Sequence, residues 1–211
     1  MTPRGALLAA FRRLAAAGLC PRTSGNVSVR TPDGFLITPT GMPADTVRAA
    51  DLVAVTLAGD ARGRRRPSSE WRLHRDLYAT RADVGAVVHT HPPHASAVAC
   101  LRKDIPAFHY LVAWAGGSSI RCARYATFGT DDLSRSARQA LAGRTACLLA
   151  NHGAVAVGAD LAAAERLAAE VEALAHIYLL ACAAGRPVVL DAAEMRRNLE
   201  LFRGYGQPRR R

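Results

Sequence analysis

Lysine is nearly absent from this chain: Lys103 is the single lysine among 28 basic residues, and the formal net charge is +11. No helix-turn-helix, zinc-finger spacing or aromatic RNA platform accompanies that charge, so it predicts attraction of a small anion and no nucleic-acid partner. The arginines are spread along the chain apart from Arg64-Arg65-Arg66 and Arg209-Arg210-Arg211, and together with the abundant alanine they look like a compositional bias. A C-x-x-C pair is also lacking. Five scattered cysteines, Cys20, Cys100, Cys122, Cys147 and Cys182, fit a reducing, cytoplasmic compartment better than a disulfide framework. No stretch reads as long and uncharged enough to span a bilayer, so no membrane contact is expected. Arg12 and Arg13 interrupt the alanine-rich start that would otherwise resemble a signal peptide. Internal repeats are missing as well.

With 211 residues, 50% of them hydrophobic, the chain can bury one substantial core, and nothing splits it. A single domain over residues 1–206 is expected, with a disordered Arg-rich tail at 207–211. Leu7, Leu8, Phe11, Leu14 and Ala15 recur at helical spacing between Pro3 and Gly18. Thr23 to Val29 and Phe35 to Thr38 flank a Pro32-Asp33-Gly34 turn and read as a hairpin. Leu52 to Leu57 alternates as a strand, and Arg64-Arg65-Arg66 reads as a solvated strand edge. A helix from Ser69 to about Arg81 turns Trp71, Leu73, Leu77 and Tyr78 inward, with Ser68 or Ser69 as its N-cap. Pro92-Pro93 opens a short helix to Cys100, and Ile105 to Ala113 reads as a strand. Ala146 to Val157 is strand, turn, strand. Asp160 caps a helix stopped by Gly185, and Asp191 with Glu194 begins a last one. Hairpins mixed with helices predict an α/β domain in layers with mixed or largely antiparallel pairing.

The chemistry gathers around Val84 to His91, V-G-A-V-V-H-T-H. On a strand, His89 and His91 project from one face roughly 6.5 Å apart at the backbone, so both imidazoles can reach one metal ion. Such pairs also occur without metal. A catalytic zinc usually takes three protein ligands and keeps one position open. His152, in Asn151-His152-Gly153 after the apolar run Ala146 to Ala150, ends a second strand beside a turn glycine. Glu70 lies at a probable helix start, where an acid also simply suits the helix dipole. Thr38-Pro39-Thr40-Gly41 and Ser24-Gly25-Asn26 place small polar residues beside glycine, where backbone can approach an anion closely. His94 reads as structural.

The set S-G-N-V-S-V-R, I-T-P-T-G, S-S-E, A-V-V-H-T-H-P, Y-A-T-F-G-T and N-H-G, in this order, resembles the class II aldolase/adducin family, and most of all its L-fuculose-1-phosphate aldolases. The resemblance runs from Leu7 to Tyr205. It implies a three-layer α/β/α sandwich around a mixed, mostly antiparallel sheet, one zinc ion per subunit, and a homotetramer with sites between subunits. Matched residue by residue, it assigns the metal to His89, His91 and His152 together with Glu70, and catalysis to Glu70 as acid/base and Tyr110. The substrate phosphate falls to Gly25, Asn26, Thr40, Gly41, Ser68 and Ser69, and the aldehyde side to Tyr110, Phe128 and Tyr205. Asn151 departs from the family pattern, which often has His before the third ligand.

The implied reaction is reversible cleavage of a ketose 1-phosphate, L-fuculose 1-phosphate or a 5-deoxy-pentulose analogue, to dihydroxyacetone phosphate and a small aldehyde such as L-lactaldehyde. Breaking a carbon–carbon bond beside a ketone leaves a carbanion that must be delocalised as an enediolate, which a Lewis acid stabilises. Three histidines also suit Co²⁺ or Mn²⁺. A pentulose-phosphate 4-epimerase or a methylthioribulose-1-phosphate dehydratase of the same family needs a similar site. A non-catalytic adducin-like interaction module is expected to have lost ligands that this chain keeps. The length excludes an (α/β)₈ barrel hydrolase.

Overall fold

The computed structural model describes residues 2–205. The boundary at 206 and the Arg-rich tail at 207–211 lie outside the described residues. Helix α1 (Pro3–Ala16) is capped by Thr2, whose hydroxyl accepts from Gly5 N–H at 3.2 Å, and leads into β1 (Asn26–Thr31) and β2 (Gly34–Ile37). Strands β3 (Val53–Thr56) and β4 (Ala61–Arg62) precede α2 (Trp71–Thr80), β5 (Ala86–Thr90) and α3 (Pro93–Cys100). Then come β6 (Arg121–Ala123), α4 (Asp131–Ala140), β7 (Ala146–Leu149), β8 (Gly153–Gly158), α5 (Leu161–Ala184) and α6 (Ala192–Arg203).

Among the described residues these strands form one sheet in the order β4-β3-β2-β1-β5-β8-β7-β6. Each neighbouring pair is antiparallel except β6 with β7. Strand alternation divides the buried side chains between two cores. Leu36, Ala86, Val88, Leu148, Ala154 and Ala156 face α1, α3 and α5, whose Leu7, Phe11, Val98, Leu167 and Val171 pack with them. Phe35, Ile37, Val87, Leu149, Val155 and Val157 face the opposite way, onto Leu73, Leu77 and Tyr78 of α2 and Leu133 and Ala137 of α4. Each fully buried Leu-sized side chain contributes about 1.5–3 kcal/mol, so both layers are strongly bonded to the sheet. The three-layer mixed sandwich is therefore as expected.

Several local expectations are corrected. Ile105 to Ala113 is not a strand: Ile105 makes one bridge to Ile120, Pro106 has no N–H to continue a ladder, and Tyr110–Ala115 winds into a 3₁₀ helix. Helix α4 went unread although Thr130 caps it and Asp131 and Asp132 occupy its first turn. Neither serine caps α2. Glu70 holds that position without a side-chain cap bond, and Ser68 Oγ instead accepts from Glu70 N–H at 3.3 Å. The edge strand is Ala61–Arg62, ahead of the arginine run, and Arg65 donates to Asp51 at 2.9 Å. Helix α5 is, contrary to expectation, long and apolar enough by length and composition to cross a membrane. Ala164, Leu167, Ala168, Val171, Leu174 and Ala175 are buried against the sheet layer, while Ile177 and Leu180 remain exposed.

Candidate metal and active site

Four elements converge on one point. Strand β1 pairs with β5 so that Asn26 lies opposite His89, and β5 runs out into His91. The β7–β8 hairpin carries Asn151 and His152 in its turn, with Leu149 opposite Gly153. A Cβ on Gly153 would collide with the Thr90 carbonyl, so glycine is what lets this turn close on the histidine strand. Asn151 sits at φ 53°, a left-handed conformation asparagine tolerates, and its Oδ1 accepts from Arg102 Nε at 2.7 Å. The start of α2 brings Glu70 in from the other layer.

His89 Nε2 lies 2.8 Å from Glu70 Oε2 and 2.8 Å from His91 Nε2, and His152 Nε2 lies 3.4 Å from Glu70 Oε1. The ligand atoms of all four residues fall within 4.8 Å of one another. His89 is fully buried and Glu70 is 5% exposed. His89 Nδ1 is 2.9 Å from the Ala154 carbonyl and must donate to it, and against the effect of burial Glu70 raises the His89 pKa, so that without a cation Nε2 holds a proton toward the carboxylate. Burial opposes ionisation of Glu70, but His89 and His152, with the Asn26 amide, outweigh it and hold the carboxyl well below its usual range. Burial and the charge on His89 pull His91 down to about 3 and His152 to about 4, so both stay neutral. Burial likewise holds His74, behind Asn26, neutral at about 3.

These donors fit a divalent cation. Glu70 Oε1 is buried with no hydrogen-bond partner, two imidazole nitrogens face each other, and a carboxylate and three neutral-capable imidazoles point to one centre. A proton can reconcile only one pair of these atoms, whereas one cation satisfies all four.

Beside the cluster opens a cavity of about 310 Å³. It is lined by Gly25, Asn26, Thr40, Gly41, Ser68 and Ser69, by Glu70, His91 and His152, and by Tyr125, Ala126 and Phe128. Gly25 requires its φ of 74°, and a Cβ there would meet Cys20 Sγ and the His89 carbonyl.

The family described as Class II Aldolase and Adducin N-terminal domain matches residues 5–179. The chain belongs to this family. A 5-methylthioribulose-1-phosphate/5-deoxyribulose-1-phosphate aldolase of Rhodospirillum rubrum is 53% identical over 203 residues, 96% of this chain and 92% of that protein. The L-fuculose phosphate aldolase of Escherichia coli K12 is 48% identical over 90% of this chain and 88% of that one. A solved L-fuculose 1-phosphate aldolase superposes with a TM-score of 0.92 at 40% identity, covering 95% of this chain and 96% of its own. The chain is accordingly a class II aldolase by kind, a lyase, with a Glu/His cluster that could bind a metal.

Within one copy of this aldolase, the residues expected at the phosphate line the cavity together with Glu70, His91, His152 and Phe128, while His89 is fully buried against Glu70 and His91. Tyr110 and Tyr205 do not line it. They lie on either side of Phe202 of α6, with ring centroids 6.1 and 5.7 Å from it, and both are exposed. His94 also stays out of the cavity: its Nδ1 is 2.7 Å from Glu172, whose carboxylate accepts the His94 and Ala95 N–H groups at the start of α3. Sequence reasoning missed Tyr125 and Ala126 as cavity walls and gave Asn26 only a phosphate role. In fact Asn26 Nδ2 donates to Glu70 Oε2 at 3.1 Å while its Oδ1 meets His74. The N-x-S alternation on β1 was the available signal.

Proposed function

We propose that the chain is a zinc-dependent aldolase that reversibly cleaves a ketose 1-phosphate to dihydroxyacetone phosphate and a small aldehyde. The observation that carries this reading is the Glu70, His89, His91 and His152 cluster beside a cavity lined by glycine, hydroxyl and amide. Bound by those residues, zinc supplies Lewis acidity at the ketone oxygen. The phosphate is held by Gly25, Thr40, Gly41, Ser68 and Ser69 beside the N-terminus of α2, whose dipole favours an anion. Asn26 adds one edge of its amide. This grip fixes the reacting carbons against the cluster. As the bond beyond the ketone-bearing segment breaks, its electron pair passes toward the carbonyl oxygen. The hydroxyl beside that bond gives up its proton as it becomes the aldehyde, and Glu70, ionised at rest, takes up an equal proton and passes it to the carbon left behind; in synthesis both transfers reverse.

The aldehyde end is read against Tyr125, Ala126 and Phe128, which suits a substrate ending in a methyl or methylthio group: a 5-deoxy-pentulose or methylthio-pentulose 1-phosphate, or L-fuculose 1-phosphate, whose last carbon is also a methyl. The names of the relatives agree with either. A panel of these ketose phosphates with the zinc-loaded protein, read by release of dihydroxyacetone phosphate, is expected to rank the 5-deoxy- and methylthio-pentulose 1-phosphates first by kcat/KM, in line with the 53% identical relative. A higher kcat/KM for L-fuculose 1-phosphate reverses that order. Ser69→Ala should raise KM for the phosphorylated ketose about tenfold, the loss of one charge-assisted hydrogen bond, and leave zinc content unchanged. Equal kcat/KM for the phosphorylated and free sugar contradicts the phosphate wall.

We further read the working form as a homotetramer in a reducing, cytoplasmic compartment, with Tyr110 and Tyr205 of one copy reaching the aldehyde side of the next copy's cavity. In support, Tyr110 and Tyr205 are exposed and outside the lining of their own cavity, and Ile177, Leu180, Val188, Val189 and Leu201 leave apolar surface uncovered. Tyr110 is then placed to exchange the proton on the aldehyde oxygen. Mixing Glu70→Gln and Tyr110→Phe chains after dissociation should restore a measurable fraction of activity, because some sites then hold neither change. Two inactive variants that stay inactive when mixed place Tyr110 and Glu70 in the same copy's site.

A further inference from the structure

Behind Glu70 a row of buried polar side chains runs between β1 and α2. Asn26 Nδ2 lies 3.1 Å from Glu70 Oε2, and His74 Nε2 lies 2.5 Å from Asn26 Oδ1. Ser28 Oγ is 2.6 Å from His74 Nδ1 and 2.7 Å from the Tyr78 hydroxyl. Ser28 and His74 are fully buried, and Asn26 and Tyr78 nearly so. At the far end the Arg30 guanidinium lies 4.9 Å from the Tyr78 ring centroid and donates to the Tyr78, Arg81 and Val84 carbonyls. Two periodicities make this possible. Glu70, His74 and Tyr78 recur every fourth residue of a helix, advancing about 6 Å per step. Asn26, Ser28 and Arg30 recur every second residue of a strand, advancing about 6.6 Å per step. The rows therefore stay in step over two helical turns.

The donors and acceptors have one consistent direction. An ionised Glu70 only accepts, so Asn26 turns its NH₂ to Glu70 and its carbonyl to His74. That carbonyl only accepts, so neutral His74 carries its proton on Nε2. Its bare Nδ1 accepts from Ser28, and the Ser28 oxygen accepts from Tyr78. Turning any member round sets two acceptors or two donors against each other. Apolar side chains would fill the same layer without that constraint, so the polar row has a use beyond packing.

We propose that His74 is a positioning residue for Glu70, acting through Asn26, with Ser28 and Tyr78 fixing its Nε2–H tautomer so that the carboxylate is held between the histidines and the cavity. The proposal rests on Glu70 being the acid/base group. It is tested in the zinc-loaded full chain by His74→Phe, which keeps ring volume without a donor, and His74→Gln, which restores a donor near the Nε2 position. His74→Phe should lower kcat about 10–100-fold, the loss of one hydrogen bond in a row ending on a charged group, with KM and zinc content within about twofold. His74→Gln should recover most of that loss. Nitrogen NMR shifts of His74 should show a protonated Nε2 and a bare Nδ1. Wild-type kcat in His74→Phe, equal losses in both variants, or an Nδ1–H ring in the unmodified protein overturns the proposal. Should His74→Phe not fold, Ser28→Ala carries the kinetic test, and an unchanged kcat there overturns it too. Glu70→Gln run alongside separates the two ideas. If it turns over normally, the acid/base reading itself fails; if it is crippled while His74→Phe is normal, only the positioning role fails.

Discussion

Replacing Glu70 by glutamine is expected to lower turnover of the ketose 1-phosphate by about 10²–10⁴-fold, the range for losing a general acid/base, while most of the bound metal remains. The substitution keeps length and volume at a position 5% exposed, so the helix start and the Asn26 contact survive. What it removes is the proton carrier and the negative charge 2.8 Å from His89 and 3.4 Å from His152. Three imidazoles still converge, which is the usual number of protein ligands at a catalytic zinc. Steady-state release of dihydroxyacetone phosphate and elemental analysis of the same sample separate chemistry from metal loss. Normal turnover in this variant reduces Glu70 to a carboxylate at a helix start.

The second large effect is expected from His89→Ala, His91→Ala and His152→Ala, each of which should purify with less than about a tenth of the wild-type metal and no measurable aldolase activity, since one of the three converging imidazoles is gone and Glu70, needed as the proton carrier, would have to complete the set. The loss should be most complete at His89, whose Nδ1 is anchored on Ala154 and whose Nε2 stands between Glu70 and His91. His94→Ala is the control: it removes an imidazole that packs on His176 and Glu172 outside the cavity and should leave metal content unchanged. Full metal in any two of the ligand variants, with circular dichroism showing the fold intact, would sink the assignment.

Much of this was legible before the fold was known, and the reason is local. His89 and His91 share a strand face because side chains alternate, and both apolar runs that end in histidine have strand composition, so spacing offered candidate ligands, while the set with His152 and Glu70 was assigned by the family resemblance. The hairpin at Pro32-Asp33, the helix stopped by Gly185 and the caps at Asp160 and Asp191 depend on neighbours in sequence, and they appear where expected. Helix α4 and the 3₁₀ turn at Tyr110–Ala115 were misread although Thr130, Asp131 and Pro106 carried the signal.

By itself, then, the sequence determined which side chains could bind metal, which segments would be strands or helices, and that a glycine and hydroxyl wall was on offer. Only the tertiary structure decided what each of those groups faces. The pairing of β1 with β5 set Asn26 beside His89, and the seating of α2 across β1 turned Glu70 toward the histidines and His74 toward Ser28. The same seating made Asn26 a partner of Glu70, and Tyr110, stacked on Phe202, and Tyr205, edge-on to the same ring, both fall outside the lining of their own chain's cavity. Periodicity fixes the direction of a side chain relative to its own element; the register between elements comes from contacts between residues tens of positions apart, which no local pattern encodes.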